Sequence, residues 1–126
     1  MAARIDTEHV REWVDAYLSA WTSNDGTDIE ALFTPDATYR HRPYREPITG
    51  RAAIVADWIE HKDEPGSWQA QFEPLIVHEN LAIVTGSVDY TNAERYSNLW
   101  VVRFDDDGRC ADYTEWWMER PADHGS

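Results

Sequence analysis

The sequence predicts a single α+β domain, with three N-terminal helices packed on a strongly curved, mostly antiparallel sheet. Helical periodicity is confined to the first half of the chain, whereas the second half shows the alternation of β-strands. The last two strands carry aromatic residues on both faces, so the sheet must be covered twice and should form a cone. The domain is predicted to span residues 1–120, followed by a flexible tail at 121–126.

Each of the three predicted helices follows a local start signal. The first begins at the N-cap Asp6 and keeps an apolar stripe at helical spacing until Asn24–Gly26 stops it. Thr27–Glu30 has the spacing of a capping box and predicts a short second helix. A third helix is predicted from Gly50 to the break at residues 63–66.

The first predicted strands are one short and two long segments. A short strand at Ala37–His41 is followed by a loop at Arg42–Thr49, whose two prolines exclude regular structure and which could act as a lid. Longer strands are predicted at Trp68–His78 and Leu81–Thr91. Pro74 lies inside the first of these and predicts a bulge or an edge position.

The stretch Glu94–Arg120 predicts a β-hairpin around the turn Asp105–Gly108. Because side chains alternate along a strand, Asn98 and Trp100 share one face of its first arm. Asn98 on this arm and Glu115 on the second are polar groups among aromatic neighbours. Burying them costs free energy unless they are hydrogen-bonded or take part in binding or catalysis, so this hairpin is the first place to look for function.

Composition limits the classes of function. The formal net charge of −13, from 11 basic and 24 acidic residues, argues against a nucleic-acid partner. One cysteine, Cys110, and an N-terminus without an apolar core predict a cytoplasmic protein, and no segment is long enough to predict a membrane span. Seven Trp and six Tyr suit either a core or the walls of a ligand pocket.

Metal, cofactor and nucleophile motifs are missing from the sequence. No HExxH occurs, and Asp105–Gly108 lacks the ligand spacing of a calcium loop. There is no Gly-x-Ser-x-Gly, no histidine assignable beside Cys110, and no glycine loop for phosphates. We therefore expect neither a metal nor a cofactor.

The order of elements resembles the nuclear transport factor 2-like superfamily, specifically its SnoaL-like branch. The segments LFTPDATYRHRP, GRAAIVADW and VVRFDDDGRCADYTEWW carry the resemblance, which covers nearly the whole chain. It implies a cystatin-like cone with a pocket between helices and sheet. The superfamily includes ketosteroid isomerases, polyketide cyclases, dehydratases and members without catalysis, so the resemblance predicts fold better than activity.

The resemblance also implies roles for four residues. Tyr17 matches the tyrosine that donates a hydrogen bond to the developing enolate in ketosteroid isomerases, and His41 stands where their general-base aspartate does. Trp100 replaces a protonated aspartate, and its indole N–H donates but does not titrate, which argues against steroid isomerisation. Glu115 replaces an apolar wall residue. The Asp-Arg-Asp arrangement of limonene epoxide hydrolases is not evident.

His41 alternates with Tyr39 along the short strand, so both are predicted to face the pocket while Arg40 and Arg42 face outward. The predicted catalytic residues are His41 as base, Tyr17 as oxyanion donor with Trp100, and Glu115, which orients His41 or returns the proton. The alternatives to these catalytic roles are that His41 is only a wall residue, that Tyr17 is a core tyrosine and that Glu115 only shapes the pocket. The predicted substrate-binding residues are Tyr39, Trp58, Asn98, Trp100, Tyr113 and Trp117. The predicted surface histidines are His9, His61, His78 and His124.

The sequence thus favours a small-molecule pocket protein, with acid/base isomerase, cyclase or dehydratase chemistry on a hydrophobic carbonyl-bearing metabolite. The alternative is a non-catalytic ligand-binding or interaction module. In either case the resemblance implies a homodimer through the outer face of the sheet, where Leu99 and Trp116 lie.

Overall fold

A computed structural model of the protein describes residues 5–121, which form three helices and one six-stranded sheet. The helices are α1 (Thr7–Ser23), α2 (Gly26–Glu30) and α3 (Arg51–Glu60). The strands are β1 (Phe33–Arg40), β2 (Ile48–Thr49), β3 (Trp68–His78), β4 (Leu81–Tyr90), β5 (Arg95–Phe104) and β6 (Cys110–Glu119). The predicted tail lies outside the described residues from residue 122 onward, as does His124.

The sheet is curved and mixed, with the strand order β2-β1-β6-β5-β4-β3. Strands β3 to β6 form an antiparallel meander, and β2 also pairs antiparallel with β1. The exception is β1, which pairs in parallel with β6 and so brings an early strand beside the last one. The predicted α+β class is confirmed.

Helix α1 has the limits that its cap residues predict. The side chain of Asp6 accepts a hydrogen bond from the His9 backbone N–H, and Asn24 ends the helix in the left-handed conformation with a φ of 52°. Between them the buried stripe faces the sheet. It consists of Val10, Trp13, Val14, Tyr17 and Ala20.

The short helix and the strand after it differ from the prediction. The N-cap of α2 is Asp25, whose carboxylate accepts from the Thr27 N–H at 2.8 Å, so the predicted Thr27–Glu30 capping box is wrong. Strand β1 begins at Phe33 rather than Ala37, because a register shift between Phe33 and Thr38 accommodates the proline in this stretch. The predicted loop also contains strand β2.

Pro74 lies in an edge strand and beside a bulge, and both features were predicted from its residue type. Strand β3 lies at the edge of the sheet, and its register with β4 shifts between Pro74 and Ile76. The hairpin between β5 and β6 closes through a longer loop than the predicted turn, at residues 105–109. Its conformation is held by Asp105 Oδ1, which accepts from the N–H groups of Asp107 and Arg109, and by Gly108 with a φ of 78°.

The core lies between α1 and the concave face of the sheet, around Trp100. Phe72 stacks on Trp100 with ring centroids 4.1 Å apart, and Trp13 meets the Trp100 ring edge-on. Gly86 pairs with Phe72 across β3 and β4 and leaves room for that ring. On the outer face, Trp116 and other large apolar side chains are exposed. In residues 5–121 no helix combines the length and apolar character needed to cross a membrane.

Candidate functional site

A cavity of about 530 Å³ lies between the helices and the concave face of the sheet. Its lining is mostly aromatic and polar, and it includes residues from α1, α3, β1, β4, β5 and β6. All but one of the predicted site residues line it, namely Tyr17, Tyr39, His41, Trp58, Asn98, Trp100, Glu115 and Trp117. These residues, which strand and helix periodicity and the resemblance assigned to one pocket, therefore share one cavity.

Tyr113 is the predicted wall residue that does not line the cavity. It is fully buried, and its ring stacks against that of Tyr39 with centroids 4.3 Å apart. Its hydroxyl lies 3.4 Å from the hydroxyl of Tyr17. The predicted direct contact of Tyr113 with a substrate is therefore corrected, because its neighbours Tyr39 and Tyr17 line the cavity and Tyr113 does not.

Three tyrosine hydroxyls form a buried network at the inner end of the cavity. The Tyr17 hydroxyl lies 2.9 Å from that of Tyr39 and 3.4 Å from that of Tyr113. Burial, followed by the charge of Glu115, raises the pKa of Tyr17 well above its ordinary value. Tyr17 therefore stays protonated near neutral pH. Because two contacts use two of the three O–H groups, one O–H of the network is left to donate to a ligand.

Glu115 lines the same cavity and is held by two neutral donors. Its Oε2 accepts from Asn98 Nδ2 at 2.7 Å and from Trp100 Nε1 at 3.3 Å. Burial raises the pKa of Glu115, and these two hydrogen bonds and the charge of His41 offset only part of that rise. Since both donors reach Oε2, Oε1 is the oxygen left to interact with a ligand. The indole N–H of Trp100, predicted to bind an oxyanion, is instead used by Glu115.

His41 is oriented by Asp57 rather than by Glu115. Its Nε2 lies 2.7 Å from Asp57 Oδ2, and its side chain is 48% exposed at the rim of the cavity. Asp57 also meets His61, whose Nδ1 lies 3.3 Å from Oδ1 and 3.0 Å from the backbone oxygen of Asp57. These contacts, first the backbone hydrogen bond and then the charge of Asp57, raise the pKa of His61.

Sequence analysis assigned no role to Asp57, and its prediction that Arg42 faces outward, away from the pocket, is wrong. Strand β1 ends at Arg40, so the alternation that would turn Arg42 outward ends there too. Arg42 lines the cavity, and its guanidinium carbon lies 4.7 Å from the ring centroid of Trp117. His61, predicted to be a surface residue, is exposed but also lines the cavity. Among residues 5–121, no group of three or more His, Cys, Asp or Glu is arranged to hold a metal ion.

A second polar group lines the same cavity near the end of α1. The Oδ2 atom of Asp63 accepts from Trp21 Nε1 at 3.0 Å and from the Tyr90 hydroxyl at 3.1 Å. Burial, and then the charge of Asp63, raise the pKa of Tyr90 above its ordinary value. Glu94 lies nearby on the lining and accepts from the Tyr96 hydroxyl at 3.1 Å. Sequence reasoning missed these carboxylates, because Asp63 lies in the break after the third predicted helix and Glu94 is the first residue of the predicted hairpin, where periodicity does not indicate a direction.

The raised pKa of Glu115 predicts a pH-dependent effect of Glu115→Gln on stability. A carboxyl group that is less acidic when folded stabilises the protein below its ordinary pKa of 4.5, and that contribution is lost as the pH rises through the folded value. We expect the melting temperature of the Gln variant, minus that of the wild type, to increase between about pH 4 and about pH 7. Thermal unfolding over this range checks it. Glu119→Gln, exposed on the same strand, controls for the lost charge, and an unchanged or decreasing difference would contradict the prediction.

Comparison with known proteins agrees with this architecture. A structure from Burkholderia xenovorans LB400, described as an NTF-2 like protein of unknown function, has a TM-score of 0.73 and 20% identity, over 94% of this chain and 89% of that one. A protein from Kribbella flavida DSM 17836, provisionally designated a ketosteroid isomerase, has a TM-score of 0.70 and 24% identity, over 96% and 86%. No curated protein matches the sequence. The profile of the SnoaL-like domain matches residues 14–113, and the chain therefore belongs to the SnoaL-like domain family.

Proposed function

We propose that the cavity binds a hydrophobic, carbonyl-bearing small molecule and catalyses cofactor-independent acid/base chemistry of the isomerase, cyclase or dehydratase type. One observation carries the proposal: a histidine–aspartate pair, a protonated tyrosine and a carboxyl group of raised pKa line the same aromatic-walled cavity. They come from different elements of the fold. Such a convergence of a base, a hydrogen-bond donor and a charged group that stabilises the protonated base supports enolisation of a ketone.

The base in this proposal is His41. With its Nε2–H donated to Asp57, the neutral imidazole has its lone pair on Nδ1, which takes a proton from the carbon next to the carbonyl. The electrons of the broken C–H bond form the enolate, and its oxygen accepts a hydrogen bond from the free O–H of the tyrosine network at Tyr17.

Glu115 acts through its charge in this proposal. Asn98 and Trp100 hold it through Oε2, and it stabilises His41 while the imidazole carries the proton, which His41 then delivers to a second carbon or to a leaving oxygen. Asn98 and Trp100 are positioning residues in this scheme. The similarity in fold to a protein designated a ketosteroid isomerase supports enolate chemistry in a cavity of this shape.

Proton exchange tests this function without knowledge of the natural substrate. β-Tetralone, a planar ketone of suitable size, is incubated with the protein in deuterium oxide, and deuterium uptake beside the carbonyl is followed by NMR. We expect exchange faster than in buffer alone. Binding without faster exchange would contradict catalysis and favour the non-catalytic ligand-binding alternative.

We also propose a homodimer through the outer face of the sheet. Trp116 and Met118 are 54% and 67% exposed there, and Leu99 pairs with Trp116 across β5 and β6. A face this apolar is typical of an interface between copies of a protein.

Trp116→Glu is expected to convert that dimer to a monomer, because a charge would be buried at the centre of the interface. Size-exclusion chromatography with light scattering would show the mass halved. Tyr44→Glu is the control, since Tyr44 is 78% exposed on the loop before β2. A wild-type monomer, or a Trp116→Glu dimer of unchanged strength, would contradict the prediction.

A further inference from the structure

Three carboxylates on the cavity lining have only neutral hydrogen-bond donors. Asp63 accepts from Trp21 and Tyr90, Glu94 from Asn92 and Tyr96, and Glu115 from Asn98 and Trp100. None of them takes part in the ion pairs found among the described residues. The lining as a whole has four carboxylates, with Asp57, against the two cations Arg42 and Lys62. Its two histidines, His41 and His61, both contact Asp57, so the other three carboxylates are left against two cations. The cavity thus has an excess of negative charge.

Asn98 supplies a second, independent observation at the inner end of the cavity. Its Oδ1 is buried and has no hydrogen-bond partner, while its Nδ2 is fixed by the bond to Glu115. An unsatisfied buried acceptor costs about 1–3 kcal/mol, so this position calls for a donor. Beside it, Oε1 of Glu115 is a further acceptor that the donors Asn98 and Trp100 leave unused. A ligand group that donates hydrogen bonds would satisfy both oxygens.

The aromatic wall next to these acceptors suits a cation. Tyr90, Tyr96 and Trp117 follow one another edge to face, with ring centroids 5.8 Å and 5.5 Å apart. At the rim, the guanidinium of Arg42 already lies over the Trp117 ring. Aromatic faces attract cations through their quadrupoles, and more strongly where water is excluded.

We propose that the ligand of this cavity carries a protonated amine, which donates to Asn98 Oδ1 and Glu115 while it lies against the aromatic wall. The inference rests on the proposed function and narrows its substrate class to an amine-bearing carbonyl compound. A hydroxyl group would also satisfy Asn98, but it would leave the carboxylates uncompensated. Charge is therefore the property to test.

A series of naphthyl compounds of matched size separates charge from shape. Naphthylmethylamine is a cation at neutral pH, naphthylmethanol is its neutral isostere and naphthoate is an anion. Their dissociation constants are measured by tryptophan fluorescence and by calorimetry on the full chain. We expect the amine to bind about tenfold more tightly than the alcohol, and the acid more weakly than both.

Two variants locate the preference. Glu115→Gln keeps the acceptor for Asn98 and Trp100 but removes the charge, and Asn98→Leu removes the orphaned acceptor. Each should reduce the advantage of the amine over the alcohol to about threefold or less. Glu119→Gln, on the same strand but not on the cavity lining, should leave the wild-type ratio unchanged.

The ratio of the dissociation constants of the alcohol and the amine, measured on the wild-type protein, can overturn the inference by itself, even if a variant does not fold. An alcohol that binds as tightly as the amine, binding of neither compound, or a preference that survives both Glu115→Gln and Asn98→Leu would each do so. The β-tetralone assay distinguishes this from failure of the proposed function. Exchange of the neutral ketone without an amine preference overturns only the inference, whereas an amine preference without exchange overturns only the catalytic proposal.

Discussion

Replacing His41 with alanine should lower the rate of β-tetralone proton exchange by at least about 100-fold, because a positioned general base contributes that much or more. The substitution should leave the fold intact, since the imidazole is half-exposed and its one hydrogen bond is to Asp57 at the surface of α3. The measurement is deuterium uptake by NMR at equal protein concentration. Circular dichroism confirms that the variant is folded.

His61→Ala is the matched control for this prediction. His61 shares Asp57 with His41, lines the same cavity and is also exposed, yet the proposed mechanism gives it no proton to transfer. Its loss should change the rate by no more than about twofold. Asp57→Asn should fall between the two variants, because it removes the charge that orients His41 but retains the base. Wild-type exchange rates in His41→Ala would show that this histidine is only part of the wall.

The largest expected effect on stability is that of Gly86→Ala. A methyl group at this position would lie 2.2 Å from the backbone oxygen of Gln71 and 2.3 Å from the ring of Phe72. Neither neighbour can move freely, because Gln71 belongs to the β3–β4 ladder and Phe72 stacks on Trp100. We expect a loss of about 3 kcal/mol in the free energy of unfolding, at the upper end of what overpacking usually costs. Urea unfolding of both proteins measures it.

Gly26→Ala tests whether this cost arises from the contact rather than from the loss of a glycine. Gly26 opens α2, and an added methyl group would meet Val55 at 3.6 Å, an ordinary contact distance. Alanine is favoured over glycine in a helix, so stability should be unchanged or rise by up to about 1 kcal/mol. Equal losses in both variants, or no loss in Gly86→Ala, would contradict the prediction.

Gly86→Ala should also disturb the cavity at a distance. Phe72 would have to shift, and it stacks on Trp100, whose N–H holds Glu115. Ligand binding by the folded fraction should therefore weaken even though neither Gly86 nor Phe72 is part of the lining.

Local signals in the sequence were sufficient for much of the fold. Asp6 and Asn24 fix the ends of α1 because caps act on the residues beside them, and Pro74 indicated a bulged edge strand for the same reason. The convergence of Tyr17 and Glu115 was predictable from helical and strand periodicity together with the resemblance. These patterns determine which side of an element a side chain occupies.

The remaining site features depend on the path of irregular chain, which periodicity does not describe. His41 follows the last residue of β1, so its partner is set by the loop that brings it to Asp57 on α3. Asp63 lies between α3 and β3 and is placed by Trp21 and Tyr90 from two distant elements. Tyr113 was assigned to the correct face, but its depth beneath Tyr39 depends on how the two rings stack.

The parallel pairing of β1 with β6 determines when this protein can fold during synthesis. Phe33 pairs with Cys110, and Tyr39 pairs with Tyr113, so the early strand has no neighbour on that side until β6 has left the ribosome. Closing so long a loop is entropically costly and is compensated only when the last strand arrives. Until then the apolar side chains of β1 lack their cover, and the nascent chain has no chamber in which to hold a small molecule.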